Sequence, residues 1–86
     1  MQINEMKVEM TNHFKKRLKE REVSLDMILY TLRDKIKILR YYNNTGKELC
    51  YRSGDISYIL EIRNRKIVLI TVLNKYADYL KDAIAI

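Results

Sequence analysis

Apolar residues recur along this chain with two different periods. Phe14 and Leu18 are four apart, and Leu25, Ile28, Leu29 and Leu32 follow helical spacing. Thr11 or Asn12 can cap a first helix that continues through residues 13–21. Ser24 caps a second, which runs to about Arg33 or Asp34, with Asp26 placed favourably for the helix dipole. Val23, just before that cap, is positioned to staple onto Ile28.

The period then shortens to two. Ile36 and Ile38 alternate with Lys35 and Lys37, which predicts a strand ending in the turn-rich run Asn43-Asn44-Thr45-Gly46. Residues 48–52 read as a second strand and Ser53-Gly54-Asp55 as a hairpin turn. Ile56, Tyr58, Leu60 and Ile62 line one face of a third. After Asn64-Arg65, residues 67–73 are apolar on both faces, the mark of a central strand. Asn74 then caps a last helix containing Tyr76, Ala77, Tyr79, Leu80, Ala83 and Ile84. Residues 1–10 fit either a short strand, with Met6, Val8 and Met10 alternating, or a helix. The expected architecture is one α+β domain over residues 1–86: two helices, an antiparallel sheet of about four strands, and a C-terminal helix.

Composition narrows the function classes. At 48% hydrophobic and 33% charged, the 86-residue chain is globular rather than disordered. No apolar run approaches a membrane span, and Met1-Gln2-Ile3-Asn4-Glu5 lacks the layout of a signal peptide, so a cytoplasmic location is expected. A single Cys (Cys50) and a single His (His13) exclude an internal disulfide and a usual structural zinc site, and no cofactor or metal is expected. The net charge of +6 favours polyanionic partners, RNA foremost. Arg40, Arg52, Arg63 and Arg65 extend the positive surface, and Arg52 joins the RNA-facing set with Lys16 and Tyr58, since tyrosines can stack on bases.

The densest chemistry lies in residues 13–21. His13, Arg17 and Arg21 fall at i, i+4 and i+8, on one helical face beside the Phe14–Leu18 stripe, and Lys15, Lys16 and Lys19 add charge elsewhere. Breaking an RNA phosphodiester through its own 2′-OH requires two proton transfers and stabilisation of a phosphorane-like transition state. A His suits the first task and Arg forks suit the second. Such a run is also the ordinary composition of a solvated helix face, with Glu20 and Glu22 available to screen it.

The segment His13-Phe14-Lys15-Lys16-Arg17-Leu18-Lys19-Glu20-Arg21-Glu22-Val23-Ser24 resembles the His-x-x-x-Arg-x-x-x-Arg helix, turn and Ser cap of small RelE-like, toxin-related proteins of the barnase–colicin–RelE type. That resemblance implies a metal-independent endoribonuclease. His13 would transfer protons, Arg17 and Arg21 would hold phosphate, and Thr71 would donate a hydrogen bond. A neutralising antitoxin or immunity protein would be the natural partner. The competing expectation is a catalytically inactive relative that binds nucleic acid or protein. A third reading makes the apolar tail Ala83-Ile84-Ala85-Ile86 a docking or homodimer contact.

Overall fold

Two short strands open the chain, where the pattern was ambiguous. In a computed structural model describing residues 2–3, 5–74 and 83–86, β1 (Gln2–Ile3) and β2 (Met6–Met10) form a hairpin. Met6 and Val8 face inward while Lys7 and Glu9 are exposed, the period-two alternation of a strand covered on one side. Three helices follow: α1 (Asn12–Glu20), α2 (Leu25–Arg33) and α3 (Ile36–Tyr41). Then come β3 (Leu49–Ser53), β4 (Ile56–Arg63), β5 (Lys66–Asn74) and β6 (Ile84–Ala85). The fold is α+β with a six-stranded sheet in the order β1-β2-β5-β4-β3-β6.

This differs from the expected meander in three ways. The sheet has six strands among the described residues rather than about four, and it is mixed, because β2 runs parallel to β5 and β6 parallel to β3. Residues 36–41 form a helix, not a strand. Ile36 and Leu39 are buried at helical spacing while Ile38 is exposed, so a three-residue period prevails over the Ile36/Ile38 alternation. Finally, Ala83 and Ile84, expected in the last helix, lie in a bend and in β6, and the other residues of that expected helix, Tyr76, Ala77, Tyr79 and Leu80, fall outside the described residues.

The turns explain much of the geometry. The end of α1 follows a Schellman pattern: the Val23 N–H donates to the Leu18 carbonyl and the Glu22 N–H to that of Lys19. Glu22 takes the left-handed conformation (φ 53°) that such an end requires. Val23 and Leu18 then pack against the edge of the core. Asn64 and Arg65, both at positive φ, join β4 to β5 in a two-residue loop. Its amides are held from outside the hairpin: Asn64 N–H donates to Asn44 Oδ1 at 2.7 Å and Arg65 N–H to Asn43 Oδ1 at 2.8 Å.

The main core lies on the helical face of the sheet. Phe14 of α1, Ile28 and Leu32 of α2 and Leu39 of α3 pack there with Leu60, Ile62, Ile67, Leu69 and Val72. A smaller cluster of Cys50, Ile59 and Leu73 occupies the other face. Between Ile59 and Leu60 the β4–β5 register shifts, so Thr71 opposes Ile59 and Leu69 opposes Leu60. Ile70 is the extra residue of this β-bulge.

Candidate functional site

The start of α1 is pinned to the bulge. Thr11 caps the helix by accepting from the Phe14 N–H at 3.0 Å, and its hydroxyl donates to the Ile70 carbonyl at 2.8 Å. The Thr11 N–H also donates to the Leu69 carbonyl at 3.1 Å. Phe14, fully buried, fixes the helix's rotation. His13 and Lys16 are therefore exposed, Arg17 is half-buried at the stripe's edge, and Arg21 is exposed at the C-cap. These four side chains share one side of the helix by its 100° step per residue. Arg17 Nη1 contacts Glu20 Oε2 at 2.9 Å, an exposed ion pair that screens the cluster and is worth only about 0.3–0.5 kcal/mol.

The other expected site residues lie elsewhere. Without the bulge, alternation from Leu69 would turn Thr71 toward α1. With it, Thr71 shares the opposite face with its cross-strand partner Ile59 and is 7% exposed. Arg52, two residues beyond Cys50 on β3 and opposite Ser57, is exposed on that same far face. Tyr58 is fully buried. Its ring stacks on Tyr51 at 5.2 Å between centroids, and its hydroxyl is hydrogen-bonded to Thr31 of α2. Burial holds its phenol well above the usual tyrosine range, against the lowering effect of the Thr31 bond. It offers no face to a base and is neutral at physiological pH. Tyr51 is covered by Tyr58 on one side and has the Lys35 ammonium 5.8 Å from its ring centroid. The expected set is thus divided among the α1 surface, the core and the far face of the sheet.

The concave surface forms where sequence reading placed a strand. One hollow, of about 480 Å³, is lined by Glu5, Met6, Arg40, Asn43 and Arg65. A second, of about 820 Å³, shares Glu5 and Arg40 and adds Arg33, Asp34, Ile36, Lys37 and Ile38. Lys37 and Arg40 are three apart on α3, a helical spacing concealed by the strand expected over residues 36–42, and Arg33 joins them from the end of α2 across the turn at Asp34 and Lys35. Among the described residues, no group of three or more His, Cys, Asp or Glu is placed to hold a metal ion, and no helix is long and apolar enough to cross a membrane. No family model, curated protein or solved structure matches the chain.

Proposed function

We propose that this domain binds RNA through the basic side of α1, with His13, Lys16, Arg17 and Arg21 contacting phosphates. The observation that carries this reading is the placement of those four cationic or titratable side chains along one solvent-facing side of a helix anchored by Thr11 and Phe14. A rigid helix presents charges at a spacing that a phosphate backbone can meet, and the net charge of +6 adds long-range attraction.

Cleavage of the bound strand by a metal-independent, toxin-type mechanism is the second reading. It is favoured by the shared face of His13, Arg17 and Arg21 and by the motif's likeness to the helix of RelE-like toxins, and a neutralising protein would belong to it. Binding is the better supported of the two. Thr71 faces away from α1 and Tyr58 is buried, which leaves His13 as the one residue of the expected set suited to proton transfer on that face. Two proton transfers would then fall to a single imidazole.

Incubation of a mixed RNA pool with wild type and His13→Ala in excess EDTA separates the readings. Binding by both proteins without cleavage is expected. Cleavage by wild type that the substitution abolishes would replace binding with catalysis as the function.

A further inference from the structure

A cationic concavity lies away from α1. It lies where the end of α2, the whole of α3, the β1–β2 turn and the β4–β5 turn converge. Arg33, Lys37, Arg40 and Arg65 line the two adjoining hollows, against only Glu5 and Asp34. Arg33, Lys37 and Arg65 take part in no ion pair among the described residues. A third hollow, lined by Lys37, Ile38, Tyr41, Tyr42, Ala85 and Ile86, continues the surface along α3. At its side Tyr41 is 78% exposed and meets Tyr42 edge-on at 5.0 Å, so a face of its ring is open. Cations in a groove beside an exposed aromatic are the two components of single-strand recognition: charge tracks the backbone and the ring stacks a base.

The backbone of the β4–β5 turn is itself strained beside this hollow. In a two-residue hairpin loop with positive φ at both positions, Asn followed by Gly is the preferred pair. Here Arg65 takes the second position at φ 59°, a conformation that costs a side-chain-bearing residue and costs Gly nothing. An arginine held there by the Asn43 side chain places a guanidinium at the edge of the hollow. Strain retained beside a ligand-sized concavity is a pointer to function.

We infer that this α2–α3 cleft is a second RNA contact. Arg33, Lys37, Arg40 and Arg65 engage successive phosphates of a single strand, and Tyr41 stacks one of its bases. The inference rests on the RNA-binding reading above and extends it from one helix face to a groove.

The test is fluorescence anisotropy with a labelled oligouridylate, with circular dichroism of each variant as a check on folding. Arg33→Gln with Lys37→Gln is expected to weaken binding about tenfold and to reduce the slope of log affinity against log salt by about 1.4, the release of two phosphate contacts. Tyr41→Ala should weaken binding at least about fivefold with the salt slope unchanged. Arg65→Gly should weaken binding while leaving the protein as stable or more so, which separates the lost charge from damage to the fold. Wild-type affinity in all these variants, together with loss in Arg17→Gln/Arg21→Gln, would overturn the cleft and leave RNA binding by α1 standing. Displacement of the oligonucleotide by uridine monophosphate at comparable concentration would overturn the strand assignment in favour of a free nucleotide. Absence of salt-sensitive binding by wild type would remove both proposals.

Discussion

At the scale of single residues, the left-handed positions carry the most information. Glu5, Glu22, Asn44, Asn64 and Arg65 all adopt positive φ. Asn accepts this conformation readily, whereas Glu and Arg do so at a cost. Glu22 illustrates the structural case. Its φ is fixed by the Schellman bonds that end α1, and Glu22→Gly is expected to stabilise the domain by about 0.5–1 kcal/mol. Thermal unfolding should register this as an increase of a few degrees in Tm, since about 1 kcal/mol corresponds to roughly 4–8 °C in a domain of this size. An unchanged or lower Tm would mean that the Glu22 side chain contributes contacts that outweigh the strain. The shared side of His13, Arg17 and Arg21 was legible from sequence because helical spacing alone decides it. The placement of Thr71 was not legible because one extra residue in β5 reverses the side to which the side chain points, nor was that of Tyr58, because an aromatic on an alternating strand reads alike whether it faces solvent or core.

At the scale of elements, α2, β3, β4 and β5 were legible because each has several residues of consistent period and a turn signal at its end. The hydrophobic run of β5 correctly implied a strand flanked on both sides, by β2 and β4. α3 was not legible as a helix: six residues offer fewer than two turns, and two isoleucines at i and i+2 imitate a strand. The parallel pairings of β2 and β6 depend on contacts far apart in sequence, which periodicity does not encode. Tyr58 ties two of these elements together, linking β4 to α2 through Thr31. The unfolded phenol ionises near pH 10, whereas the buried one ionises only well above that. Above pH 10 the unfolded chain therefore holds fewer protons than the folded one, and stability falls as pH rises. Tyr58→Phe should cost about 1 kcal/mol at neutral pH, where the hydrogen bond is lost, and should flatten the decline above pH 10. Denaturant unfolding at pH 7 and pH 10.5 measures both. An equally steep alkaline decline in the variant would show that other groups govern it.

At the scale of the whole molecule, charge and shape act together. Lys and Arg outnumber Asp and Glu by 17 to 11, and two regions concentrate the excess on helices: the outer side of α1 and the cleft made by α2, α3 and the β4–β5 turn. The overall charge was legible from composition, and the polyanionic partner proposed above rests on it. The cleft was not legible, because it needs the β1–β2 turn and the β4–β5 turn to meet α3. The central claim is that this surface binds RNA electrostatically, and the most direct test is the affinity of the wild-type domain for a single-stranded oligoribonucleotide across a salt series. The account predicts binding that weakens linearly on a log–log scale with a slope of about −3 to −5, as expected for some four to seven phosphates at about 0.7 each. No binding at low salt, or an affinity that does not change as salt rises, would contradict it.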